Sequence, residues 1–167
     1  WMNEQWLVRL GPAERARRIV PRLAEAGCLE GELSPDEWAR IERIVELVGD
    51  RIKTLDDAVD QIGFFLATSL SYDNIDVLKV LAKPGAGNLL AGLHDVLESA
   101  PSFETEDLEP LIRRFAERES VGLGKVAQPL RAAVSGRTAT PGIFETLSLI
   151  GREKVLERIT EAMKHTK

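Results

Sequence analysis

Residues 122–158 read GLGKVAQPLRAAVSGRTATPGIFETLSLIGREKVLER. Lys125 and Arg131 mark a basic helix, which Gly136 should end, because glycine tolerates the left-handed conformation a helix stop needs. Arg137 falls in the polar turn that follows. Thr140 is the expected cap of the next helix, and Pro141 fixes its entry. Ile143, Phe144, Leu147 and Ile150 then recur at helical spacing, and Gly151 breaks the run. Val155, Leu156, Ile159 and Met163 are expected to line a last helix. Lys125 and Arg131 stand six residues apart, so an unbroken helix sets them on different faces. Pro129, between them, leaves a break as the other outcome.

The same signals recur upstream. Ser34-Pro35-Asp36-Glu37 is a capping-box start with Pro at the first helical position. Trp38, Ile41, Ile44, Val45 and Val48 keep the 3–4 spacing until Gly49. Thr54 to Asp57 repeats the box before Leu55, Ala58, Val59, Ile62, Phe65 and Leu66. Residues 105–119 carry Leu108, Leu111, Ile112 and Phe115, with Pro110 near the first turn. Further helices are expected over about 12–25, 74–82, 87–98 and 124–134, and no period-two run predicts a strand. The fold class is all-α, arranged as two small helical sub-bundles over residues 1–100 and 101–167. The boundary is expected at the turn Ala100-Pro101-Ser102, and Pro84-Gly85-Ala86-Gly87 is a turn between helices.

At 167 residues and 44% hydrophobic, the chain can bury a sizeable core. Trp1 rather than Met opens it, which points to a piece of a longer protein, and no signal pattern follows. No apolar run reaches the roughly 20 residues of a membrane helix. The single cysteine, Cys28, allows no internal disulfide, suits a reducing compartment and reads as an inert thiol.

The net charge of −5 hides a division. Residues 1–120 hold 14 Lys and Arg against 23 Asp and Glu, whereas residues 121–167 hold 8 against 4. A phosphate-binding face is therefore expected in the basic last quarter of an otherwise acidic chain.

Most site chemistry is missing. His94 and His165 are far apart, and with one Cys they predict no metal cluster. No G-x-S-x-G elbow supports a nucleophile. Gly85-Ala86-Gly87 and Gly122-Leu123-Gly124-Lys125 lack the strand and the Ser/Thr of a phosphate loop. Asp56-Asp57 and Glu106-Asp107 sit in first turns of helices, where acids complement the dipole.

What remains is the mixture that reads single-stranded nucleic acid: cations for phosphate, helix-end amides for base edges, apolar faces for splayed bases. Lys125, Arg131 and Arg137, the amides after Thr140-Pro141, and Ile143 with Phe144 supply these in turn. Packing explains Ile143 and Phe144 equally well.

The run K-x-x-Q-P-L-R-x-A-x-[ST]-G-x-x-x-[TS]-P-G-[IL]-F-E-x-L-x-L-[IL]-G-x-E, from Lys125 to Glu153, resembles the C-terminal signature of bacterial glutamyl-tRNA synthetases. Thr105-Glu106-Asp107-Leu108 with Arg113-Arg114-Phe115-Ala116-Glu117 is similar to the helix preceding that signature. Arg51-Ile52-Lys53-Thr54-Leu55 resembles the R-x-x-T-L turn of the family's first anticodon-binding sub-domain, and Trp1 to Trp6 its L-N-x-x-[YW] segment.

The resemblance implies a parent that joins glutamate to its tRNA using ATP and magnesium, in the cytoplasm. The H-x-G-H and K-M-S-K-S motifs of catalysis are absent, so this chain corresponds to the helical anticodon-binding region, with no catalytic residue and no cofactor of its own. Its implied partners are the tRNA for glutamate and the parent's catalytic domain, not DNA or a membrane. Carried over by position, the anticodon contacts fall on Arg51, Arg131, Thr140, Pro141, Ile143 and Phe144, with Lys125 and Arg137 as candidate phosphate contacts. The family sets an arginine at the position of Arg51 beside the third anticodon base, which is C for glutamate and G for glutamine. Against this RNA-binding module stand a helical interaction or scaffold module that retains the motif, and a stand-alone enzyme, which the missing chemistry disfavours.

Overall fold

Local chemistry starts the helices. The Ser34 amide donates to the Glu37 carboxylate at 2.8 Å, and the Glu37 amide donates back to Ser34 Oγ at 3.3 Å. Thr54 and Asp57 repeat this reciprocal box at 2.9 and 3.0 Å. Hydrogen bonds from the Ser34 and Thr54 amides hold both carboxyls below their usual range. A computed structural model describes residues 6–167; of the segment Trp1 to Trp6, all but Trp6 lies outside the described residues. Among the described residues there is no strand.

The chain forms two units, dividing between Thr68 and Ser69. The first holds α1 (Pro12–Glu25), α2 (Pro35–Val48), a 3-10 turn (Gly49–Arg51) and α3 (Leu55–Leu66). α1, α2 and α3 each pack on the other two. Ile19, Leu23, Ile41, Ile44, Ile62 and Phe65 fill the space between them. Arg15, only 7% exposed, donates to the carbonyls of Leu7, Val8 and Gly49 at 3.0, 2.9 and 3.1 Å. A buried guanidinium needs such acceptors.

The second unit holds α4 (Ile75–Leu81), α5 (Ala86–Glu98), α6 (Thr105–Arg118), α7 (Leu123–Ser135), α8 (Ile143–Ile150) and α9 (Arg152–Met163). α9 packs on α5 and α7, α6 packs on α5 and α8, and α4 packs on α7. The turn at Ala100-Pro101-Ser102, the expected boundary, therefore lies inside this unit. Leu97 and Ala100 are buried, and Arg152 of α9 donates to the Ala100 carbonyl at 2.6 Å. A proline stops the helix there without separating the cores on its two sides.

Two expectations are corrected, and one left open is decided. Pro110 lies in the second turn of α6, where its missing N–H removes the bond to the Glu106 carbonyl. α7 runs unbroken through Pro129. On α9 the buried stripe is Val155, Arg158, Ile159 and Ala162; Leu156 and Met163 lie beside it, half-buried. Leu156 is one residue, or about 100°, out of phase with that stripe.

Candidate nucleic-acid interface

The last carbonyls of α7 lack partners within the helix, and those of Ala132, Ala133 and Val134 find donors outside it. Ser135 Oγ donates to the Arg131 carbonyl at 2.7 Å, and the Gly136 amide to Ala132 at 3.0 Å. The Tyr72 hydroxyl donates toward the Ala133 carbonyl at 2.7 Å, with the Arg158 carbonyl 3.1 Å away. Arg158 Nη1 donates to the Val134 carbonyl at 2.7 Å. Tyr72 and Arg158 are 6% and 4% exposed. Burial, outweighing the nearby Arg158 charge, pushes the Tyr72 phenol up to about 12.

Gly136 then turns the chain at φ 65°, and a Cβ there would stand 2.9 Å from the Ser71 carbonyl oxygen. Only glycine meets both demands without strain. Ser135 Oγ accepts the Arg137 amide at 3.1 Å, so the first residues of the loop are pinned to the helix they leave.

The loop folds back on α7. Arg131 Nε donates to Thr140 Oγ1 at 2.9 Å, and Thr140 Oγ1 donates to the Pro141 carbonyl at 2.9 Å. Thr140 is therefore not the cap of α8; that position belongs to Gly142, with no side-chain bond. Its hydroxyl gives its one proton to the loop, which it holds closed, and keeps one lone pair for an outside donor.

Of the residues singled out by sequence, this loop brings Arg131, Thr140 and Pro141 together. Arg137 is half-exposed at its start and Phe144 half-buried at its end. Pro141 is buried and Ile143 is 6% exposed, so their side chains serve packing. The amides of Ile143, Phe144 and Glu145 have no intrahelical acceptor. Glu145 adds an acid to this first turn, and its carboxylate lies against Gly142. That charge opposes an anion at the helix start, so these amides suit a neutral acceptor.

Lys125 is exposed and lies about 240° around α7 from Arg131, outside this cluster. Arg51, in the first unit, is an exposed side chain at the end of the 3-10 turn. The Gly49 carbonyl beside it already accepts from Arg15 and from the Ile52 amide.

Sequence reading missed Tyr72, Ser135 and Arg158, which fix the loop from beneath. The only signal for Arg158 was its phase: it stands three residues after Val155, on the apolar stripe.

No helix among the described residues is long and apolar enough to cross a membrane, and no group of three or more His, Cys, Asp or Glu among them could hold a metal ion.

The anticodon binding domain family matches residues 13–163. The chain is 33% identical over 164 residues to a glutamate–tRNA ligase of Anaeromyxobacter dehalogenans, covering 98% of this chain and 33% of that protein. It is 35% identical over 162 residues to glutamate–tRNA ligase 2 of Halorhodospira halophila, covering 97% and 33%. The crystal structure of a glutamate tRNA ligase from Elizabethkingia meningosepticum, in complex with its amino acid, superposes with a TM-score of 0.83 at 25% identity, over 98% of this chain and 31% of that one. The chain thus spans about a third of the relatives it matches. On sequence and on the all-helical fold alike, it belongs to the anticodon binding domain family.

Proposed function

We propose that this chain is the anticodon-reading part of a glutamate–tRNA ligase, binding the tRNA for glutamate while a catalytic region outside this sequence performs the chemistry. The observation that carries this reading is the Arg131–Thr140 hydrogen bond, which gathers a guanidinium, a hydroxyl and the start of α8 at one loop. Within it, Arg131 and Arg137 meet phosphate or base acceptors, Thr140 and the amides of α8 meet base edges, and Phe144 offers its half-exposed ring to a splayed base. Pro141 and Ile143 contribute backbone and shape rather than exposed side chains. Arg51, in the other unit, reads a base by itself, and Lys125 is a candidate phosphate contact on the other face of α7.

ATP and magnesium belong to the parent's reaction. The residues of this chain do not fit them: the sequence has no phosphate loop, and the described residues offer no metal cluster. The chain alone is accordingly expected to give no glutamate-dependent ATP–pyrophosphate exchange. Exchange by the purified chain would overturn the assignment of chemistry to a separate region.

The deciding experiment is a gel-shift titration with the tRNA for glutamate and an anticodon-swapped transcript. Binding that fades with the swap supports anticodon reading, and equal or absent binding favours a helical scaffold that merely retains the motif. Replacing Lys125, Arg131 and Arg137 singly with Ala should weaken tRNA binding. Each residue that holds a single-stranded phosphate should also lower the salt slope by about 0.7. A triple Ala variant with the parental affinity and slope would remove the basic block from the interface.

A further inference from the structure

Lys125 lies on the rim of a cleft of about 300 Å³ between the α4–α5 turn and the first half of α7. Pro84, Leu89 and Pro129 are among its walls, and Lys83, Lys125 and Gln128 supply its polar groups. In a chain of net charge −5, no Asp or Glu lines it.

Lys83 and Lys125 are both exposed, and neither makes an ion pair among the described residues. Lys83 Nζ donates to Gln128 Oε1 at 3.2 Å, which keeps the amide and ammonium side by side. Pro129 has no N–H, so the Lys125 carbonyl lacks its helical donor and can accept from a ligand. Lysines hold phosphate as point charges, an amide both donates and accepts, and the walls are apolar. The volume is at the lower end of the range for small-ligand sites.

We propose that this cleft takes one unpaired RNA nucleotide, its base against Pro84, Leu89 and Pro129 and its phosphate on Lys83 and Lys125. This inference rests on the tRNA-binding reading above and adds a second nucleotide position to α7, on a different face from Arg131. The two positions are about 9 Å apart along the helix axis, within reach of one strand.

The test uses the full chain with the tRNA for glutamate and with its anticodon stem-loop alone. Lys83→Ala/Lys125→Ala should lower the slope of log K against log salt by about 1.4, two single-stranded phosphate contacts. Leu89→Trp fills the cleft without altering charge. It should leave the slope unchanged and weaken binding roughly five- to tenfold, the low end of what one stacked base contributes. Circular dichroism checks that each variant keeps its helices. A parental slope in the double lysine variant, or a parental affinity in Leu89→Trp, overturns the cleft. If the unaltered chain binds tRNA without regard to anticodon, the base-reading proposal falls, and the cleft is still decided by the slope. If it binds no tRNA at all, both fall.

Discussion

Phe115→Ala is expected to destabilise the second unit by about 3–5 kcal/mol, the range for removing a buried aromatic ring. Phe115 is 3% exposed, and its ring lies against Gly92 of α5 so closely that a Cβ there would stand 2.7 Å from Cε2. The ring thus fills the α5–α6 interface down to the backbone, and alanine leaves a cavity that rigid helices close only in part. The guanidinium of Arg118, 5.2 Å from the ring centroid, also loses its aromatic partner. Leu147→Ala, at a fully buried site, should cost about 2–5 kcal/mol. Leu156→Ala, outside the buried stripe, should cost only about 1 kcal/mol. Adding Gly92→Ala to Phe115→Ala should recover part of the loss, because the new methyl enters the vacated space. Urea unfolding followed by circular dichroism measures all four. A Phe115→Ala loss no larger than that of Leu156→Ala would mean that the ring does not hold α6 to α5.

Arg51→Gln is expected to narrow the preference for the glutamate anticodon over the glutamine anticodon by about 1–3 kcal/mol, a factor of roughly 5–150. A guanidinium offers only donors in a planar fork. Cytosine presents O2 and N3 acceptors on its pairing edge, which the fork engages; guanine presents N1–H and N2–H, which it opposes. Glutamine both donates and accepts, so it tolerates either base. Arg51 is suited to this role because it is exposed, and because Arg15 and the Ile52 amide already occupy the Gly49 carbonyl beside it. The measurement is the affinity ratio for two transcripts differing only in the third anticodon base. An unchanged ratio in Arg51→Gln would assign discrimination to another residue.

The parts of this fold legible in the sequence are those decided within a few residues. Both capping boxes form as their spacing predicts, because the partners are three residues apart. The stop at Gly136 is equally local. What escaped prediction depends on distant partners. Thr140 looks like a cap until Arg131, nine residues earlier, takes its hydroxyl. Arg158 looks like surface until the last carbonyls of α7 give it an acceptor. The division after Thr68 has no proline or glycine to announce it, whereas Pro101 announces a division that long-range packing overrides. Resemblance singles out Arg131, Thr140 and Pro141 as candidates, and their mutual hydrogen bonds are not readable from it.

Tyr72 is the only tyrosine in the chain, and all three tryptophans, Trp1, Trp6 and Trp38, precede the division after Thr68. The two units therefore carry separate optical labels in the unaltered sequence. The phenol, pushed up to about 12 from an ordinary 10, contributes stability that is complete below about pH 10 and lost as pH rises through 12. Tyrosinate absorbance should appear late in the native chain and near pH 10 in denaturant, so its onset reports the opening of the α7–α9 contact beneath the loop. Tryptophan emission reports the first unit alone. Recorded together during one titration, the two signals time the unfolding of each unit without attaching a dye.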